Sequence, residues 1–264
     1  MGPSDGTPTA DQMARMKSLL AQSMDEGAAG LSTGLIYAPG CFADTRELIE
    51  LAGVAGSKGG YYASHIRNEA DRIITALEEV IRIGREAQIP VHVSHLKIAG
   101  KKNWELRQTV VEKLTAARAE GIDITCDVYP YFHSSTTILA LLPPWSLEGG
   151  MVSLQARLKT PRQRERIVGG IKDGIPGWEN MVLHTGLDKI VVSSVQSRQR
   201  NGLVGRSIAQ IATAAQQDPI QVLLDLVEAE HGAVAIITES MNEENMVDFL
   251  SLPFAMVGSD GSPN

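Results

Sequence analysis

The sequence predicts an α/β fold built from parallel βα units of (β/α)-barrel size, and three observations predict it. Apolar runs of strand length alternate with stripes of helical period through the first two thirds of the chain. Strand ends fall near Thr33, His65, His95 and Tyr129, spaced 32, 30 and 34 residues apart; a barrel of about 250 residues allots roughly 31 to each unit. Polar residues of catalytic type gather at the C-terminal tips of these strands, the face on which parallel barrels build their sites. A flat doubly wound sheet has the same rhythm, and spacing alone leaves both open.

Thr9–Gly27 is read as a helix, with Thr9 and Gln12 as a capping box, Met13, Met16, Leu20 and Met24 as its apolar stripe and Gly27 as its stop. A short strand at Ala29–Thr33 follows, then a helix at Thr45–Ser57 with Leu48, Leu51, Ala52 and Ala55 facing inward. Gly60–His65 reads as a strand. Asp71–Gln88 reads as a helix with Ile74, Leu77, Ile81 and Gly84 on its inner face. Pro90–His95 and Ile122–Tyr129 are the next strands, with a helix at Asn103–Glu120 between them.

After Tyr129 the rhythm breaks. A Pro143-Pro144-Trp145 turn and a charged helix at Pro161–Asp173 precede a strand at Lys189–Val195 and helices at Ser207–Gln217 and Pro219–Glu230. Strands at Ala233–Thr238 and Phe254–Ser259 flank a helix at Met241–Leu250. The expected organisation is βα units over residues 1–142, a mostly helical insertion over 143–232, and a return to the first domain over 233–264.

Of the 264 residues, 43% are hydrophobic and 21% charged, an ordinary globular composition. A formal net charge of −7 argues against a binder of nucleic-acid phosphates. No apolar run approaches membrane-spanning length, and Met1–Gly6 has neither the basic nor the apolar region of a signal peptide. Cys41 and Cys126 make neither a disulfide framework nor a Cys-x-x-Cys pair, so a reducing cytoplasm is expected.

The chemistry concentrates at three strand tips. His65 and His95 each end a strand in a Ser-His dipeptide, and Asp260 follows the last strand in Gly258-Ser259-Asp260-Gly261. Two imidazoles and a carboxylate are a normal zinc donor set, and the carboxylate could instead shuttle protons for a water on the metal. A lone strand-end histidine is more often an ordinary hydrogen-bonding group; a Ser-Asp-Gly turn is ordinarily just a turn. His92 has the opposite strand parity to His95 and is read as structural, facing the other side. Asp127 is read as a structural strand-end carboxylate. Gly30–Gly34 lacks the features of a phosphate loop, and no Gly-x-Ser-x-Gly elbow is present.

Five segments together resemble the D-aminoacylases (N-acyl-D-amino-acid deacylases) of the amidohydrolase superfamily. They are Gly27–Gly40, Tyr62–Glu69, Val93–Lys97, Asp127–Tyr131 and Gly258–Gly261, which between them span nearly the whole chain. The resemblance implies a TIM barrel of metal-dependent hydrolase type, here with about five barrel strands. It also implies zinc-dependent hydrolysis of N-acyl-D-amino acids to a carboxylate and a free D-amino acid. By matching motifs, His65 and His95 correspond to zinc ligands and Asp260 to the catalytic aspartate. Tyr37, Lys97, Tyr129 and Ser135 correspond to residues lining the substrate pocket, where lysine and tyrosine groups donate to a carboxylate. Residues 143–194 resemble the insertion of longer members. The family's His-x-His motif and its cysteine ligand have no counterpart. The chain is therefore expected to be an internal piece of a longer protein, to bind metal weakly and turn over little alone, and to self-associate through unpaired strand edges. A hydantoinase- or dihydroorotase-like activity on cyclic amides, and a non-catalytic degenerate barrel, are the rival readings.

Overall fold

The computed structural model describes residues 6–261; the Met1–Asp5 start and the Ser262–Asn264 end considered above lie outside the described residues. The chain divides into two compact units, one made of residues up to Ile98, Asn103–Pro130 and Asn242 onward, the other of Ala99–Lys102 and Tyr131–Met241.

The first unit opens with α1 (Ala10–Asp25), whose N-terminus carries the expected capping box: Thr9 accepts from the Gln12 N–H, and Gln12 accepts from the Thr9 N–H. Next come β1 (Gly30–Gly34), α2 (Thr45–Ser57), β2 (Tyr61–His65), α3 (Ile73–Ala87), β3 (Val91–Val93), α4 (Arg107–Ala119) and β4 (Ile124–Val128). Asp44 caps α2 by accepting from the Glu47 N–H. The strands pair in parallel, Leu31 opposite Tyr62, Tyr62 opposite Val91 and Val91 opposite Ile124. β1 and β2 approach so closely that a Cβ on Gly30 would lie 2.0 Å from the Tyr61 carbonyl oxygen, so only glycine fits there.

Alternation along these strands sorts the side chains onto two faces. Tyr62, Val91, Val93, Ile124, Cys126 and Val128 are buried with Leu48 and Ala52 of α2, Ile73, Leu77 and Val80 of α3, and Leu114 of α4. Stripping one such side chain, Leu77→Ala for example, removes about 2–5 kcal/mol of stability. The opposite face carries Tyr61, His65, His92, Thr125 and Asp127, all partly or fully accessible. His92 therefore shares a face with His65, which corrects the parity reading.

The second unit begins with β5 (His133–Thr137) and continues through α5 (Pro144–Leu147), α6 (Gly150–Lys159), α7 (Pro161–Asp173), α8 (Met181–Thr185), β6 (Ile190–Val195), α9 (Ile208–Ala215), α10 (Pro219–Ala229) and β7 (Val234–Glu239). Its sheet is antiparallel with the order β5-β7-β6. Ile190, Val192, Val234 and Ile236 pack in its core with Leu154, Ile167, Ile171, Leu223 and Val227 from the helices. β7 was expected to return to the parallel sheet; it pairs here instead, because its neighbours are β5 and β6. The crossings between units consequently lie at Pro130/Tyr131 and Met241/Asn242 rather than at the expected 142/143 and 232/233.

The chain re-enters the first unit through α11 (Glu243–Leu250) and ends in β8 (Ala255–Val257), which pairs in parallel with β4. Among the described residues the parallel sheet thus has five strands in the order β1-β2-β3-β4-β8, with β1 and β8 at its edges. Among the described residues no helix is long and apolar enough to cross a membrane.

Candidate metal centre

His65 is the last residue of β2 and projects from the face opposite the helix-packed core. His95 lies two residues beyond β3, and its backbone takes a left-handed conformation at φ +41°. That reversal ends the strand alternation and turns the imidazole toward His65. The Nδ1 atom of His65 and the Nε2 atom of His95 are 3.0 Å apart, one sharing a proton with the other, and the rings meet edge-on with centroids 4.5 Å apart.

A buried ion pair stands behind the two rings. After β2 the chain folds back at Asn68, whose Oδ1 accepts from the Ala70 and Arg72 N–H groups. Arg67 is tied to Glu79 of α3 and donates to the carbonyls of Cys41 and Ala43, which anchors the loop following Tyr37. Glu69 is left facing inward. The Lys97 ammonium donates to Glu69 Oε1 at 2.6 Å and lies 2.7 Å from His95 Nδ1. Glu69 Oε1 also lies 3.1 Å from His95 Nδ1, and its Oε2 lies 3.8 Å from His65 Nε2.

Burial dominates the titration of His65 and drives its pKa down to about 3, so the ring is neutral at physiological pH. Burial alone would raise the Glu69 carboxyl, but the neighbouring positive charges outweigh it and hold the group well below its ordinary value. With His65 neutral, the ammonium of Lys97 is the charge that pairs with Glu69 at neutral pH. Asp127 is likewise pushed up by burial and pulled down further by hydrogen bonds from the His92 ring and the His95 backbone N–H, ending below the usual carboxylate value.

His65, Glu69 and His95 offer ligand atoms within 4.8 Å of one another, the one such group among the described residues. Two nitrogens bound to one zinc at about 2.0–2.1 Å stand roughly 3 Å apart when the angle between them is near a right angle. The 3.0 Å separation of His65 Nδ1 and His95 Nε2 matches that bite. Glu69 sits against the other ring nitrogens, so it can orient the two histidines but does not face the point they share. His65 Nε2 is buried without a hydrogen bond.

The remaining expected site residues divide between the units. Tyr37 stacks obliquely on His65 with ring centroids 5.1 Å apart. The Tyr129 ring lies 6.5 Å from that of His95, and the Lys97 ammonium sits 5.3 Å from the Tyr129 centroid. Asp260 is exposed in the turn after β8, with φ +49°. Ser135 lies on β5 of the second unit, exposed. Glu69 was missed as a functional residue. The available signal was its spacing: Glu69 stands four residues after one tip histidine and Lys97 two after the other, one βα unit apart.

No family model matches the sequence. Among curated proteins, the chain is 39% identical over 132 residues to an N-acyl-D-glutamate deacylase of Alcaligenes xylosoxydans xylosoxydans, covering 50% of this chain and 27% of that protein. It is 40% identical over 130 residues to a D-aminoacylase of the same organism, covering 49% and 27%. Among solved structures, it superposes on N-acyl-D-glutamate deacylase from Bordetella bronchiseptica, complexed with zinc and a phosphonate mimic of the tetrahedral intermediate. The TM-score is 0.74 at 28% identity over 97% of this chain and 44% of that one. A D-aminoacylase crystal structure gives a TM-score of 0.70 at 29% identity over 96% of this chain and 43% of that one. The matched region is thus about a quarter of the curated relatives' length and under half of the structural ones'.

Proposed function

The chain being a homologue of the D-aminoacylases, we propose that it carries the strand-tip part of a zinc site for hydrolysing N-acyl-D-amino acids, on an arc of five barrel strands. The observation that supports this most is the pairing of His65 Nδ1 with His95 Nε2 at 3.0 Å, backed by a buried Glu69–Lys97 pair. His65 and His95 would hold the metal. Bound there, zinc would polarise the scissile carbonyl and make water acidic enough to react near neutral pH.

The residues around it have separable tasks. Ligation through His95 Nε2 needs the ring proton on Nδ1, and Glu69 Oε1 at 3.1 Å is placed to accept it. Neutral His65 has a lone pair to offer without first losing a proton. Lys97 and the hydroxyls of Tyr37 and Tyr129 would donate to the substrate's carboxylate, which fixes the D-centre relative to the amide. Asp260 would take a proton from the attacking water and pass it to the leaving nitrogen, and its exposure leaves it free to exchange protons.

The test is zinc uptake by this chain with N-acetyl-D-methionine hydrolysis measured alongside. The expected result is bound zinc with slow release of methionine from the D-enantiomer only, abolished by Asp260→Ala. A zinc-loaded chain that shows no D-selective release, or that cleaves hydantoins instead, contradicts the proposal.

A further inference from the structure

Behind the metal-facing side chains lies a second polar chain. His92 of β3 holds its Nδ1 2.8 Å from Thr125 Oγ1 and its Nε2 2.8 Å from Asp127 Oδ1. The backbone N–H of His95 faces the Asp127 carboxylate closely enough to lower its pKa. Its main chain repeats the tie one residue on, where the Leu96 N–H donates to the Asp127 carbonyl at 2.8 Å. On the other side, a Cβ at Gly258 would lie 2.8 Å from Asp127 Oδ2, and the Gly258 N–H donates to the Val128 carbonyl at 3.1 Å.

The placement has a specific consequence. His95 occupies a left-handed conformation at φ +41°, which a non-glycine residue keeps only where its surroundings hold it. The Asp127 carboxylate faces its N–H, and the His92 ring holds Asp127 in turn. The same carboxylate packs on the glycine that opens the turn to Asp260.

We infer that the His92–Asp127 pair is a positioning device for the site: through a single carboxylate it sets the backbone of His95 on one neighbouring strand end and the Gly258 turn leading to Asp260 on the other. Neither residue is in the group of side chains that could hold a metal; both act through the main chain. The inference rests on the reading of His95 as a metal ligand and adds to it what keeps that ligand aimed.

The experiment is a cobalt(II) titration of the full chain, followed by visible absorption, for the unaltered protein, Asp127→Asn and Gly258→Ala. Thermal unfolding is measured in parallel. Gly258→Ala removes no polar group; its added methyl displaces the Asp127 carboxylate, so it reports even where Asp127→Asn folds poorly. The expected result is cobalt affinity lowered about 10- to 100-fold by either change, the range for lost orienting partners of a ligand. The double variant should be no weaker than the weaker single one, because both act on one carboxylate. Lower unfolding temperatures with unchanged cobalt affinity and spectrum would make the pair merely structural and overturn the inference. If the unaltered chain binds no cobalt, the ligand reading of His95 falls and takes the inference with it.

Discussion

Glu69 in the first unit and Glu230 in the second are both buried carboxylates, 4% and 2% exposed, and they are satisfied by different kinds of donor. Glu230 accepts from the Gln196 and Ser197 N–H groups at 2.8 Å each, from the Ser197 hydroxyl, and from Arg200 at 3.0 Å. Two of those donors are fixed by the backbone, and Arg200 also donates to the Ser197 hydroxyl, so the donors brace one another. Glu69 instead leans on the Lys97 ammonium and on the Nδ1 of His95, with His65 Nε2 3.8 Å away, groups whose protons can move between partners. The difference teaches how to separate a staple from a site when both are buried ion pairs. A carboxylate closed off by backbone donors stabilises a turn, whereas one that leans on titratable rings poises those rings for something else.

Removing each carboxylate should break the likeness. Glu69→Ala leaves the Lys97 ammonium, 6% exposed, without its partner. A buried charge stripped of its partner costs about 3–5 kcal/mol. That loss should appear in denaturant unfolding together with a loss of metal affinity. Glu69→Ala combined with Lys97→Met should recover much of the stability and none of the affinity, since only the uncompensated charge is removed.

The second unit should answer more weakly and only in stability. Glu230→Gln leaves the half-exposed Arg200 to water and strands one or two turn donors, a cost of about 1–3 kcal/mol, with metal affinity untouched. Burial raises the Glu230 carboxyl, but its hydrogen bonds from Ser197, Arg200 and Gln196 outweigh that and leave it below its ordinary 4.5. A depressed carboxylate pKa means the folded state holds the proton less well than the unfolded one. Its stabilisation is complete above about pH 4.5 and is lost as the pH falls below that value. Unfolding temperatures measured between neutral and acidic pH should therefore fall less steeply at the acid end for Glu230→Gln than for the unaltered chain. An identical acid limb would show that Glu230 is not the linkage.

Where local chemistry decides the structure, the sequence was readable. The helix at Thr45–Ser57 is found at its expected bounds because Asp44 caps it and its apolar residues keep helical spacing; the one at Pro161–Asp173 is found because Pro161 starts it. The spacing of His65 and His95, one βα unit apart, put both at strand tips, where the structure brings them together. Tertiary pairing decided the rest. β5 is a Ser/Thr run that reads as a loop until β7 supplies its partner. The short helices α5 and α8 carry too few turns for a period to show. His95 broke the parity rule because β3 ends at Val93 and the left-handed turn undoes the alternation. Glu69 stayed hidden because a charged residue past a strand end looks like surface until its partner, 28 positions on, is seen beside it.

The central claim, that His65 and His95 share one metal ion, is tested most directly by zinc calorimetry on the unaltered chain, His65→Ala, His95→Ala and, as a control, Glu230→Gln. The account predicts one saturable zinc per chain, weakened at least tenfold by either histidine change and left as it was by Glu230→Gln. Zinc binding that survives the loss of either histidine, or that Glu230→Gln weakens equally, would contradict it.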